Sequence, residues 1–314
     1  MRRRISAALL VLGIMFVMVA GCAVVKEQEI KGIITLSAEI SGYGEEYEFT
    51  VRCIEPESGK QEIISHFQLP FAGGQDDAGY AVYPGLCRYA SYRDMLSDDF
   101  TKLACAKIYP GGKAHAGWIN EKGEFFDVTE TLGLDSAGYV PVGFAEDGSF
   151  VYCDSLQTSQ CYYVPYDNVT PEAVKKGSPY KMDTLKDSEY SMRFGSRITA
   201  WIDERRYLCD VEICGKNQEM SLDSRMIDIQ EARYSVIPYI PDNSGKNWSG
   251  VIEPGGRKIA YLSYRPDLGY ALYVRDWPKG ESTKVDADAL FGDGEVKSKI
   301  ENIGGICITL IGWR

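Results

Sequence analysis

The stretch Val251 to Trp277, VIEPGGRKIAYLSYRPDLGYALYVRDW, most narrows what this chain can fold into. Pro254-Gly255-Gly256 predicts a tight turn, because proline fixes φ and glycine reaches backbone angles that other residues avoid. Lys258 to Tyr264 and Ala271 to Arg275 are β-branched and aromatic runs that suit a pleated, half-buried surface. Pro266 and Gly269 mark the loop joining them into a hairpin. Related units recur along the chain, with turn signals near Gly111, Asp147, Asp203 and Gly255. Strand signals outnumber helix signals throughout, which predicts an all-β chain.

The remaining segments fit that class. Tyr47 to Ile54 alternates, with Phe49, Val51 and Cys53 on one face and Glu48, Thr50 and Arg52 on the other. With Gly32 to Ile40 and Gln61 to Phe67 it forms a meander of three strands. Ser91 to Lys102 reads equally as a helix or as a strand with a loop. Glu124 to Val128 reads as a strand, Thr170-Pro171-Glu172 as the start of a short helix ending at Gly177, and Ser178 to Ser191 as a long outer loop. Gly305 to Arg314 is a single strand with nothing after it. Three strands at one end and one at the other would complete a sheet and remove two exposed edges.

The N-terminus is of another kind. Arg2, Arg3 and Arg4 precede an uncharged, mostly apolar segment, Ile5 to Ala20, and then Val19-Ala20-Gly21-Cys22. That is the layout of a secretory signal. Val-Ala-Gly-Cys resembles the lipobox of bacterial lipoproteins, which implies cleavage before Cys22 and diacylation of Cys22. Ala23 carries no inner-membrane retention signal in that family's pattern. The expected division is a signal peptide over 1–21, a lipidated Cys and tether over 22–31, and one domain over 32–314. The location is then extracytoplasmic, at a bacterial membrane through the lipid.

The chain's net charge is −11, from 34 basic and 45 acidic side chains. Removing residues 1–21 takes away three Arg and no acid, which brings it to −14. Such an acidic surface repels phosphate backbones and argues against nucleic acid as a partner. Eight cysteines remain beyond Cys22. In an oxidising compartment an even count invites a disulfide, and Cys153 with Cys161, flanking a hairpin loop, is the candidate pair. The alternative is that these cysteines are small buried apolar side chains. No C-x-x-C occurs, which removes the usual redox and zinc-ribbon signals.

Pro254-Gly255-Gly256-Arg257-Lys258-Ile259-Ala260-Tyr261, with Ser263, Arg265, Asp267 and Gly269 and then Leu272-Tyr273-Val274, resembles the repeat of TolB-like β-propellers. That repeat runs S-P-D-G-x-x-I-A-F-x-S-x-R-x-G and then I-Y-V. Glu253 and Gly255 stand where the family has Ser and Asp. Glu146-Asp147-Gly148-Ser149-Phe150-Val151-Tyr152 is a second, weaker match. The resemblance implies a β-propeller of six four-stranded blades, WD40-like in layout, with a binding role. It carries over no catalytic residue. The C-terminal strand would then pair with the N-terminal strands to close the ring. The competing architecture is a pair of β-sandwiches, in which that pairing would not occur.

Chemistry-bearing motifs are sparse. The only histidines are His66 and His115, and neither sits in a G-x-S-x-G or H-E-x-x-H context. Asp286-Ala287-Asp288 with Asp293 and Glu295 superficially suggests a calcium loop. The EF-hand spacing, however, puts Leu290 at a ligand position, so no metal site is expected. No cofactor is expected either. Aromatic residues are abundant, with 21 Tyr and 5 Trp, many near turns. Rings with a polar handle suit sugars and peptides, and Tyr264, Trp248 and Tyr162 are the candidate ligand-facing residues. The competing role for each is packing between sheets. The expectation is a lipid-anchored binding or scaffold module for a protein, peptide or cell-wall glycan. The alternative is a glycan-active hydrolase or lyase using acids in a central funnel. If Cys22 carries the anchor, Cys22→Ala releases the protein into the soluble fraction; pelleting of that variant with membranes after a carbonate wash would contradict the anchor.

Overall fold

The computed structural model describes residues 31–41, 46–72, 78–82, 93–135, 138–154, 160–177, 197–202, 205–214, 220–230, 233–238, 246–265, 269–291 and 307–314. The expected signal peptide over 1–21, Cys22 and the expected loop at Ser178 to Ser191 lie outside them. No helix among the described residues is long and apolar enough to cross a membrane.

The described residues form five four-stranded antiparallel sheets. In the first, β1 (Ile33–Ser41), β2 (Glu46–Ile54) and β3 (Gln61–Pro70) are joined by the last strand of the chain, β20 (Cys307–Trp313), in the order β20-β1-β2-β3. The second holds β4 (Gly79–Ala81), β5 (Lys102–Tyr109), β6 (Lys113–Asn120) and β7 (Phe125–Asp127). The third holds β8 (Tyr139–Phe144), β9 (Ser149–Asp154), β10 (Cys161–Pro165) and β11 (Lys175–Gly177). The fourth holds β12 (Arg197–Trp201), β13 (Arg206–Cys214), β14 (Met220–Gln230) and β15 (Arg233–Pro238). The fifth holds β16 (Lys246–Ile252), β17 (Lys258–Arg265), β18 (Gly269–Asp276) and β19 (Ser282–Lys284). In the last four sheets the strands lie in chain order.

The leading strands are β20, β4, β8, β12 and β16. Four of them carry a bulge: at Ile311 on β20, between Pro141 and Gly143 on β8, between Ile198 and Ala200 on β12, and between Trp248 and Val251 on β16. An extra residue on one strand bends it and increases local twist. These are edge strands, so β8 tolerates Pro141, whose missing N–H would break a central ladder. The leading strands β12, β16 and β20 lie beside one another. At the opposite edges, Lys175, Lys176 and Lys284 place charge on the short strands β11 and β19, which discourages strand addition.

The turn into the second strand repeats one hydrogen-bonding scheme in the second, third and fifth sheets. Phe100 N donates to Ser97 O (2.9 Å), Gly148 N to Ala145 O (2.9 Å) and Gly256 N to Glu253 O (2.8 Å). Gly148 and Gly256 take φ of +78° and +70°, and Phe100 takes the same place at +60°. A left-handed Phe is strained. Its ring is buried, with the Arg93 guanidinium 4.5 Å above it, and Arg93 is itself tied to the carbonyls of Leu96 and Ser97. Burial and cation–π contact offset the backbone cost.

The core lies between sheets. Ile33, Ile54, Ile308 and Leu310 of the first sheet pack with Val251, Ala260, Leu262 and Leu272 of the fifth. Ala104, Ala116 and Trp118 of the second pack with Phe144, Phe150, Tyr152 and Val164 of the third. Leu208 of the fourth packs with Ile259 and Tyr261 of the fifth. Alternating strands bury one set of side chains per face, so each sheet can contact a neighbour on both sides.

Several expectations are corrected. The described residues supply five four-stranded sheets, each of the strand number expected of a blade. The turn at Gly111 joins β5 to β6, and the second sheet's first turn is Ser97 to Lys102, where phenylalanine hides the glycine signal. Ser91 to Lys102 resolves, within its described part, into a 3-10 turn at Arg93–Met95, an isolated bridge at Leu96 and a turn leading into β5. The helix expected after Thr170 is a single 3-10 turn, Pro171–Ala173, before β11. The strand expected over Glu124 to Val128 is β7, and a short helix that the sequence did not show, α1 (Val128–Thr131), follows it because Asp127 caps it by accepting from Glu130 N. The pairing of β20 with β1, from Ile33 opposite Trp313 to Ala38 opposite Cys307, rules out the open termini of the sandwich alternative.

Two glycines separate backbone angle from steric contact. Gly256 has positive φ, yet a Cβ there would meet nothing within 4 Å. Gly143, at the β8 bulge with φ +152°, would place a Cβ 2.0 Å from the Asp94 carbonyl oxygen. Gly256→Ala should therefore cost about 1 kcal/mol and Gly143→Ala at least about 2 kcal/mol in urea unfolding. Equal losses would contradict the close approach of β8 to the 93–95 turn.

Candidate functional site

In an antiparallel sheet whose leading strand begins at one end, the second and third strands meet at that same end. We call it the head end. In the fifth sheet, register places Tyr264 opposite Tyr270 there, with Trp248 two residues into β16. Tyr270 is the hub: its ring lies 4.7 Å from Tyr264, 5.9 Å and nearly perpendicular to Trp248, and 6.2 Å from Phe291. The structure thus brings together the predicted Tyr264 and Trp248 through Tyr270, a residue the sequence did not single out. Tyr264, Tyr270 and Trp248 are half-buried, which leaves part of each ring accessible.

Tyr162, the third predicted residue, sits apart in the third sheet. It lies opposite Tyr152 and stacks on it at 5.3 Å, while Tyr139 meets both edge-on at 5.6 and 5.8 Å. Lys176 holds its ammonium 5.6 Å from the Tyr162 ring centre. Tyr152 is fully buried in the packing between second and third sheets. Tyr162 therefore packs on one side and keeps a half-exposed ring on the other. Burial, with the neighbouring Tyr139 and Tyr162, pushes the Tyr152 hydroxyl up to about 12. Tyr139 is raised as well, first by burial and then by Tyr162. Tyr139 and Tyr152 thus stay neutral at physiological pH, as ring faces with a hydroxyl rather than acids.

One register step from Tyr152 and Tyr162, Cys153 stands directly opposite Cys161, both fully buried on the other face of the hairpin. Directly opposed antiparallel residues hold their Cβ atoms about 4.5–5.5 Å apart, so a disulfide, which spans about 3.5–4.5 Å, would draw the two strands slightly together. Burial pushes the Cys53 thiol up to about 11 and raises Cys105 strongly, which makes both poor nucleophiles.

The second sheet carries the most polar head end. His115 Nδ1 lies 2.7 Å from Asp127 Oδ2, and the Tyr109 hydroxyl donates to the same oxygen at 3.3 Å. The other Asp127 oxygen accepts from Glu130 N at 2.8 Å and caps α1. One carboxylate therefore fixes an imidazole, a phenol and a helix start. The His115 and Asp127 side chains are 19% and 13% exposed. Burial, then the Asp127 charge, raises Tyr109. Sequence reading listed His115 but missed Asp127, because its partner is twelve residues away across a strand pair. In the first sheet, Tyr47 meets Phe71 edge-on at 4.7 Å, and His66 Nε2 lies 2.8 Å from an exposed Glu48 carboxylate. Among the described residues no cluster of His, Cys, Asp and Glu could hold a metal ion. Asp286 is exposed. Asp293, Glu295 and Asp76-Asp77 lie outside the described residues.

No protein family matches the chain, and no curated protein matches it. Among solved structures, it is similar to TolB from Acinetobacter baumannii at 13% identity, covering 90% of this chain and 67% of that one, with a TM-score of 0.34. It is similar to the putative TolB from Agrobacterium tumefaciens at 14% identity, covering 80% of each chain, with a TM-score of 0.30. An oligogalacturonate lyase from Vibrio parahaemolyticus follows at 11% identity, covering 81% of this chain and 73% of that one, with a TM-score of 0.33. At such identities and scores these likenesses say nothing of this chain's activity.

Because Asp127 serves three groups, its removal should be felt beyond one hydrogen bond. Asp127→Ala should lower stability by about 1–2 kcal/mol, and Asp127→Asn, which keeps a capping oxygen, by less than half of that. Urea unfolding of both variants measures the difference; equal losses would show that the cap is not the shared element.

Proposed function

We propose that this chain is a lipid-anchored, extracytoplasmic β-propeller that binds a protein, peptide or cell-wall glycan on one face. In this reading the five described sheets are its blades, one fewer than the six expected, and β20 beside β1 closes the ring. The observation that carries it is the repeated placement of aromatic clusters at one end of the sheets. Tyr47, Tyr80 with Tyr109, Tyr139 with Tyr162, and Trp248 with Tyr264 and Tyr270 each belong to the head end of their own sheet. In a propeller all head ends share one face, so these clusters would line it together. Half-exposed rings with neutral hydroxyls recognise sugars and extended peptides by stacking and hydrogen bonding.

The anchor in this reading is a diacyl group on Cys22, left N-terminal when residues 1–21 are removed. Two acyl chains hold a protein at a membrane without help from surface charge, which suits the acidic chain. In that oxidising compartment Cys153 and Cys161 would form a disulfide across β9 and β10, passing two electrons and two protons to a thiol–disulfide oxidoreductase. It would fix the register of the hairpin that carries Tyr152 and Tyr162. The in-register opposition of the two cysteines supports it.

Retention on purified cell-wall polymer and on envelope proteins tests the binding face. Tyr270→Ala removes the hub of the fifth-sheet cluster and should weaken retention about tenfold, with folding checked by circular dichroism. Retention equal to the wild type would overturn the face. Release of soluble sugar products from the polymer would replace the binding module with the glycan-active enzyme.

A further inference from the structure

Register aligns three polar side chains in one row across the second sheet. Tyr80 of β4 pairs with Lys107 of β5, and Lys107 pairs with His115 of β6. Directly paired residues share a face, with neighbouring strands about 4.8 Å apart. Tyr109, two residues beyond Lys107, lies on that face, as does Asp127, which pairs with Gly117 two residues from His115. Tyr80, Lys107, Tyr109, His115 and Asp127 are all half-buried.

The polar groups of this row are unevenly satisfied. Asp127 is occupied by His115, Tyr109 and the start of α1. Its carboxylate accepts from Nδ1 of the imidazole, which leaves Nε2 as the atom not held. Lys107 holds its ammonium 5.2 Å from the Tyr109 ring centre and 5.7 Å from that of Phe125. Among the described residues no carboxylate pairs with Lys107. Among the described residues ring faces alone support this partly buried ammonium, so an anion arriving there would supply counter-charge that offsets its desolvation. Burial raises the Tyr80 hydroxyl, so it remains a neutral donor, and the Tyr80 ring meets Phe125 at 5.7 Å. A donor hydroxyl, a cation and an oriented imidazole nitrogen therefore stand in line beside two aromatic faces.

We propose that this row binds a sugar carrying a single anionic group, a carboxylate or a phosphate. The anion meets Lys107 Nζ and the Tyr80 hydroxyl. A ring hydroxyl of the sugar donates to His115 Nε2, and the sugar's C–H face lies against Tyr109 and Phe125. Asp127 is a positioning residue that fixes the imidazole. A single anionic group fits better than a polyanion, because the chain's net charge of −11 repels extended anionic polymers. The proposal deepens the binding-face reading and rests on it.

The test is a titration of the full chain, followed by ligand-observed NMR, with glucuronic acid, glucose 6-phosphate and glucose at millimolar concentration. At least one of the two anionic sugars should bind about tenfold more tightly than glucose, and added salt should weaken it. Comparison of the two identifies carboxylate or phosphate as the preferred group. Lys107→Met keeps the stem over the rings and should remove that preference. His115→Gln should weaken the anionic sugar about threefold or more while leaving the preference over glucose that Lys107 supplies. Binding of glucose as tight as that of both anionic sugars would overturn the proposal. So would failure of both to bind, or unchanged anion binding by Lys107→Met. If the anionic sugars fail while Tyr270→Ala still weakens retention on wall polymer, the row is not the sugar site and the binding face stands.

Discussion

The pairing of the last strand with the first is the contact on which the other sheets depend. β20 supplies the leading strand of the first sheet from more than 250 residues away, and Arg314 N donates to Gly32 O at 2.8 Å as the pair ends. Without it, β1 would present a bare edge and Ile33 would lose cover. β20 also faces sideways. Leu310 N donates to the Ser249 hydroxyl at 2.7 Å, and that hydroxyl lies 2.5 Å from the hydroxyl of Thr309, all of it buried. Ser249 reaches β20 because the β16 bulge holds it at φ +59°. A strained residue in one leading strand thus satisfies a backbone donor in the next, in a place water does not reach.

The bulges explain how short, irregular strands can lie side by side. A regular strand continues its twist, whereas the extra residue on β8, β12, β16 and β20 bends each of them at one point. At β8 the bend brings Gly143 against the Asp94 carbonyl, a distance no other residue permits. The opposite ends of the sheets are closed by tight turns with internal hydrogen bonds. Asp99, for instance, accepts from Ser97, Thr101 N and the Thr101 hydroxyl, which outweigh its partial burial and hold its carboxyl down to about 2. One end of each sheet is thereby spent on structure. The other end carries the aromatic and ionisable groups with surface to offer.

Much of the fold was legible in the sequence, and its failures have physical causes. The turns at Gly256 and Gly148 were readable because only glycine reaches their backbone angles cheaply. The equivalent turn at Phe100 was not, because Arg93 and burial support a residue that turn chemistry disfavours. The hairpins of β9 with β10 and β17 with β18 followed from β-branched and aromatic runs. Of the three-residue strands, β7 was readable within Glu124 to Val128, whereas β11 falls where a helix ending at Gly177 was read, since so short a run has no period to read. Trp248 and Tyr264 were singled out separately as candidate ligand-facing rings, and their meeting through Tyr270 depends on register. Asp127 stood unremarked in the strand read over Glu124 to Val128, and only the pairing of β6 with β7 shows that it organises His115 and Tyr109.

The central claim is that β20 is an integral strand of the first sheet and locks it to the fifth. Native-state hydrogen exchange of the Ile308, Thr309 and Leu310 amides tests it most directly. The account predicts that these three exchange as slowly as Leu36 and Val51 in the middle of the same sheet, through global unfolding alone. Exchange at the rate of a frayed terminus, while Leu36 and Val51 stay protected, would contradict it.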